Sequence, residues 1–274
     1  MNLQLTPPPR SVQHLVKCFW TIENAPGLFQ PEQYYLMADG CPEILFQYKG
    51  GFRQYAKEKA HVRMPHTFSK SLALEKEFGF FGVRLFPHTV QQLFGMPASE
   101  VTELILEFDL LFRQGGRDLT DQLLEAGRHV DRVRLFSEFL LRLARYKRPD
   151  PLYGLVHYLD VHEGQVELAD LRQQSGLSVK QFERRIKGIT GFAPKQYSRI
   201  LRFQSAKRKY ISKKYESLTK LAYDCNYYDQ SHFNREFREF SGVPASHYFS
   251  YIDKGDAESE VIRRLVLAKE RPVF

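Results

Sequence analysis

Apolar residues run in short blocks through the first third of the chain and then change period. From Cys18 to Leu85 the blocks VKCFWTI, EILFQY and FGFFGVRLF, separated by Pro and Gly clusters, predict short strands. From Thr89 onward VQQLF, DLTDQLLEA and VRLFSEFLLRLA repeat their apolar positions three and four apart, which is one face of a helix. The segment KRPDP at 147–151 sets two prolines in a charged context, predicts a helix stop and is taken as the domain boundary. Beyond it nearly everything from Leu152 to Tyr251 has helical spacing, and the tail predicts one more short helix through Val261, Leu265 and Leu267. The expected fold class is α+β: a β-rich domain with helices over 1–147, an all-α domain over 152–252, and a tail over 253–274.

The helical half contains a repeat. Laid 51 residues apart, SVKQFERRIKGITGFAPKQY (178–197) and DQSHFNREFREFSGVPASHY (229–248) match at Phe182 and Phe233, Arg184 and Arg235, Gly191 and Gly242, and Tyr197 and Tyr248. In each copy one stripe is apolar, Phe182, Ile186 and Ile189 in the first and Phe233, Phe237 and Phe240 in the second, and these six are expected core. The opposite face carries Lys180, Arg184 and Lys187 flanked by Glu183 in the first copy. In the second it carries Ser231, Arg235 and Arg238 flanked by Asn234. A shared layout with different polar chemistry suits two readers of different short sequences. ELADLRQQSGLS precedes the first helix, with Gly176 at the tight turn, and SLTKLAYDCNYYD precedes the second, with Asn226 able to take a positive φ. Ser178 and Asp229 stand at N-cap positions. The pattern of helix, short turn and exposed helix is a helix-turn-helix, used twice.

Charge sharpens this reading. The chain of 274 residues carries a net charge of +8, and residues 178–214 hold twelve Lys and Arg against the single acid Glu183. A dense basic stretch in an otherwise balanced chain is the footprint of a polyanionic partner.

On these residues the segment 152–250 resembles the DNA-binding domain of the AraC/XylS family of bacterial transcriptional regulators. The marks are LAYDCNYYDQSHFNREFREFSGVPASHY in the second motif and FERRIKGITGFAPKQYSRILRFQSAKR across the first motif and connecting helix. Arg172, where the family has a small residue, and Asn226, where it has glycine, depart from the pattern. The resemblance implies two recognition helices in successive major-groove segments. Carried over by position, the base readers are Lys180, Gln181, Glu183 and Arg184 in the first helix and Gln230, Ser231, His232 and Arg235 in the second. Arg184 and Arg235 are suited to bidentate contacts with guanine. Lys195, after Pro194 at the start of the connecting helix, is placed to meet a backbone phosphate. The N-terminal half resembles more loosely, through MADGCPEILFQY and FGVRLFPHTVQQLFGMP, an uncharacterised domain found ahead of some readers of this family, which implies effector sensing or dimerisation. The expected partners are double-stranded DNA, with a small-molecule effector, RNA polymerase and a second copy of the chain as further candidates.

Other chemistry finds little support. Cys18, Cys41 and Cys225 form no CxxC pair and are expected as buried thiols; with no signal segment and no long apolar run, the expected location is the cytoplasm, with no membrane partner. His61 and His66, near Glu75 and Glu77, lack a metal-ligand spacing and are taken as surface-loop residues. His232 with Cys225 is no better a metal pair. Asp39 is expected at a turn and Glu43 at a strand edge, while Phe19, Trp20, Phe46 and Phe81 are expected core. No catalytic signature is present, so no enzyme activity, cofactor or metal is expected. The alternatives are a small-molecule enzyme domain tethered to nucleic acid by the basic half, and a nucleic-acid binder without sequence preference.

Overall fold

Side-chain alternation along β2 (Val16–Asn24), β4 (Glu43–Phe52) and β6 (Lys70–Leu85) builds a sheet buried on both faces. The structure is a computed structural model and describes residues 2–24, 33–55, 57, 59–144, 150–213 and 215–255, with 259, 263 and 266 beyond them. Residues 147–149 of the expected boundary, and Val261, Leu265 and Leu267 of the tail, lie outside the described residues. With β1 (Asn2–Thr6), β5 (Ala60–Arg63) and β7 (Ile105–Glu107) the sheet runs β1-β2-β6-β4-β5-β7, and β3 (Gln33–Leu36) pairs the start of β6. All its pairings are antiparallel.

One face presents Phe19, Ile44, Phe46, Val62, Phe81 and Val83 to α2 (Phe108–Glu125) and α3 (His129–Ala144), whose Phe108, Leu119, Val133 and Phe136 complete the core. The helical prediction over VQQLF is realised as a single π turn, Val90–Phe94, followed by α1 (Ala98–Val101). On the other face Trp20, Ile22, Leu45, Phe78 and Phe80 meet Phe52, Leu72 and Leu74. The expected aromatic core residues Phe19, Trp20, Phe46 and Phe81 are all buried, as are the three free thiols. Trp20 also fills the space above Gly82, where a Cβ would stand 2.0 Å from Cε2 of the indole. Gly82→Ala is therefore expected to cost about 1–3 kcal/mol by overpacking. Denaturant unfolding followed by emission of Trp20, the chain's one tryptophan, measures it. An unchanged midpoint would mean that the indole moves aside freely.

Two sequence expectations fail on this second face. His61 and His66 are not loop residues at the surface: both are buried, and His61 lies within β5. Burial, and after it the neighbouring Arg63, hold the His61 imidazole down at about 3. Glu43 is not a strand-edge residue either, since β4 lies between β5 and β6. Its carboxylate pairs with the buried Arg63 and accepts the Trp20 indole N–H at 2.9 Å. Asp39 does sit at a bend, but its role is wider: it holds the buried Arg84 guanidinium in a two-point ion pair. Burial pushes the Asp39 carboxyl up, and the charge and hydrogen bonds of Arg84 override it and hold it below the usual carboxylate range. Charges inside a sheet were illegible because the strand pattern alone does not say which polar residues face inward.

The helical half is α4 (Tyr153–Val161), α5 (Leu168–Ser175), α6 (Val179–Thr190), α7 (Pro194–Ile211), α8 (Leu218–Asp224), α9 (Gln230–Ser241) and α10 (Ala245–Ile252). They share one cluster around α7, where Phe203 packs at 5.1 Å from Phe237 and 5.5 Å from Phe240 between ring centroids. Ala38 of the N-terminal half belongs to this cluster, with Met37 against it, so the two halves share a core. Among the described residues no helix is long and apolar enough to cross a membrane.

Candidate nucleic-acid interface

The two candidate recognition helices, α6 and α9, begin and end by the same local rules. The Ser178 hydroxyl accepts from the Gln181 N–H, and the Gln181 side chain accepts from the Ser178 N–H at 3.1 Å, a capping box at the start of α6. At α9 the Asp229 carboxylate accepts from the His232 N–H at 2.6 Å. The preceding turns are made by Gly176 at φ 66° and Asn226 at φ 57°, so the asparagine takes the left-handed conformation expected of it. Each helix closes on a glycine of positive φ, Gly191 at 88° and Gly242 at 78°, as the αL cap requires. The repeat extends one position further than its apolar pattern shows. Thr190 donates to the Ile186 carbonyl at 2.9 Å and accepts from the Phe192 N–H at 3.2 Å; Ser241 repeats both bonds with Phe237 and Val243 at 2.7 and 3.2 Å.

The six stripe residues Phe182, Ile186, Ile189, Phe233, Phe237 and Phe240 are buried as expected, which turns the polar faces outward. Lys180, Glu183, Arg184 and Lys187 are exposed on α6, Ser231, Asn234, Arg235 and Arg238 on α9, and Lys195 at the start of α7. Three expected readers have partners within the protein. Gln181 is held in its capping box, Gln230 accepts from the Thr219 hydroxyl at 2.7 Å, and His232 is half-buried edge-on to Tyr227 with Nε2 3.9 Å from the Glu236 carboxylate.

The basic segment is not uniformly available. Arg185 pairs with Asp150 at 2.8 Å, Arg199 with Glu236 at 2.7 Å and Glu239 at 2.5 Å, Arg202 with Glu236 at 3.6 Å, and both Arg208 and Lys209 with Glu163. Lys207 is buried, its ammonium over the Phe203 ring. Among the described residues, Lys180, Arg184, Lys187, Lys195 and Lys213 are the cations of this segment that are exposed and outside ion pairs. About half of the basic excess therefore braces the fold.

Glu236 is a bracing residue of the candidate interface that sequence reasoning passed over. Only 2% exposed, it draws Arg199 and Arg202 of α7 onto α9 and so fixes how α9 sits against the connecting helix. The signal was present, since Glu236 stands three residues after Phe233 on the inner stripe and so needed a cation opposite. Arg172, the other departure, reaches the Leu177 carbonyl at 3.4 Å across the first turn. Two exposed apolar side chains were also missed at the leading ends of the helices, Val179 and Tyr228, the latter 85% exposed and thus without a packing role.

Comparison with known proteins agrees with this geometry. Residues 171–251 match the model of a helix-turn-helix domain family, and residues 4–107 match a domain of unknown function, DUF6597. The HTH-type transcriptional activator RhaS of Pectobacterium atrosepticum is 32% identical over 83 residues, which are 30% of this chain and 29% of that protein. Its counterpart in Pectobacterium carotovorum is 31% identical over 83 residues, with the same shares covered. The match thus spans less than a third of either activator's length. The crystal structure of ToxT from Vibrio cholerae O395 superposes over 92% of this chain and 98% of its own at 9% identity with a TM-score of 0.47, too distant to carry function. Geometry and sequence match together make residues 171–251 of this chain a helix-turn-helix domain, similar to the AraC/XylS type.

Proposed function

We propose that the protein is a sequence-specific DNA-binding transcriptional regulator, its two recognition helices reading successive major-groove segments and its N-terminal domain serving regulation or dimerisation. The observation that carries this reading is the repeated face itself. Arg184 and Arg235 occupy equivalent positions 51 residues apart, both exposed, on helices whose N-terminal ends are capped alike. Helix ends with free cations beside them meet phosphates, while long forked side chains at the centre of the face reach base edges. The exposure of Tyr228, beside the α9 cap, supports a contact of its hydroxyl with a phosphate.

Selection of bound sites from random DNA gives the preferred sequence, and Arg235→Ala then tests the reading. The variant is expected to lose about 1–3 kcal/mol on that sequence and to relax the choice of base at one position. Lys195→Ala should instead weaken all sequences alike. Equal loss on every sequence for Arg235→Ala would refute base reading by that residue, and failure to select any preferred sequence would favour a binder without specificity.

A further inference from the structure

We infer that Ala38, Asp39 and Gly40 of the N-terminal domain position the second recognition helix, so that the N-terminal domain sets the spacing at which the two helices meet DNA. The inference rests on the reading of both helices as DNA readers and adds what holds them in register.

Each of the three residues touches the helical half differently. The Ala38 N–H donates to the Phe240 carbonyl at 3.0 Å. Phe240 lies in the last turn of α9, where carbonyls have no partner within the helix, so the N-terminal domain supplies the missing donor. The Asp39 carboxylate, already held by Arg84, accepts from Gln204 Nε2 of α7 at 2.9 Å. Gly40 lies against Tyr197 of α7, and a Cβ added there would stand 2.7 Å from its ring. One bend thus grips the connecting helix and the end of the second reader together.

The far ends of both readers meet the same domain. A Cβ on Gly191, after α6, would stand 2.1 Å from the Thr102 hydroxyl, and one on Gly242, after α9, would stand 2.4 Å from the Ser69 hydroxyl. These glycines are equivalent in the repeat, so the N-terminal domain contacts the two readers at corresponding points. Both points lie at the helix ends opposite the capped, DNA-facing starts, and Arg184 and Arg235 stay exposed. Lys17 also meets Asp160 of α4 at 2.5 Å, a mostly buried ion pair across the junction. Buried ion pairs add little net stability once desolvation is counted, and their best-attested use is to fix register. The contact is therefore suited to setting geometry.

Gly40→Ala in the full chain tests this. Gly40 has no positive φ, so alanine fits its backbone and acts by wedging against Tyr197, which is fully buried and has nowhere to swing. Gln204→Met is the second variant; it keeps the side-chain length and removes one hydrogen bond across the junction. Each is titrated against the selected site, against single-base variants of it, and against sites with one base pair inserted between the two segments. An insertion shifts the second segment by about 3.4 Å and turns it by about 35°. The wild type is expected to bind the inserted site about tenfold or more weakly, and the variants to bring that penalty within about threefold while keeping their single-base discrimination. Folding is checked by circular dichroism. Folded variants that keep the wild-type spacing penalty overturn the inference, and so does loss of base and spacing discrimination together, which would indicate damage to the readers. A wild type with strong base discrimination but indifferent to the insertion overturns it and leaves the DNA reading standing. A wild type without base discrimination removes the reading on which it rests.

Discussion

Raising the salt from about 50 to about 200 mM should weaken binding of the full chain to its preferred site by about a thousandfold, a slope near −5 in log affinity against log salt. The figure follows from about six phosphates neutralised, each releasing close to one counterion. The structure limits which cations are available for such contacts. Lys180, Lys187, Lys195 and Lys213 are exposed and outside ion pairs, and Arg238 joins them on α9, with the two capped helix starts adding backbone N–H groups. Arg185, Arg199, Arg202, Arg208 and Lys209 already have carboxylate partners, so binding gains little from them. Titrations at several salt concentrations give the slope. A value near −11, as all twelve cations would produce, would mean that these pairs open on DNA, and a value near zero would remove phosphate contact altogether. Lys195→Ala should lower the slope by about one.

Glu43→Ala should destabilise the N-terminal domain by about 3–5 kcal/mol, because it strands the Arg63 charge in the interior. Both partners are within a few per cent of complete burial. Burial alone would lower the Arg63 pKa, and the Glu43 carboxylate more than reverses it; a guanidinium stays charged without that partner, so its removal leaves a buried unpaired cation. The same carboxylate accepts the Trp20 indole N–H, which makes tryptophan emission a direct reporter of the site. Replacing the pair together, Glu43→Leu with Arg63→Met, should recover most of the loss, since no buried charge is then left unpaired. Denaturant midpoints of the single and double variants decide the matter. A loss below about 1 kcal/mol for Glu43→Ala would show that water reaches Arg63.

The second half of the chain was legible because its signals are local. Ser178 and Asp229 cap their own helices three residues on, Gly191 and Gly242 end them, and Phe182 and Phe233 define stripes within four residues of their neighbours. Each rule acts over one or two turns of backbone, and the 51-residue repeat displays it twice. The strands of the first half were legible as blocks for the same reason, but not their inward charges. In HVRMPH the alternation is intact, yet both faces of β5 are buried, Val62 on one and His61 and Arg63 on the other, and only the pairing of β5 between β4 and β7 shows it.

Tertiary structure alone decided which charges are free. Arg199 and Glu236 are 37 residues apart, Arg208 and Glu163 are 45 apart, and Asp39 and Gln204 are 165 apart. Helical periodicity places a side chain on a face but is silent about what faces it across the sequence. The basic count therefore pointed to a polyanion while overstating the cations on offer; Asp39 and Gly40, which meet α7, carried no local mark of that contact, and Glu236 carried only its place on the inner stripe of α9. Their chemistry arises from groups brought together by packing, and a one-dimensional pattern records only the neighbours that the backbone itself supplies.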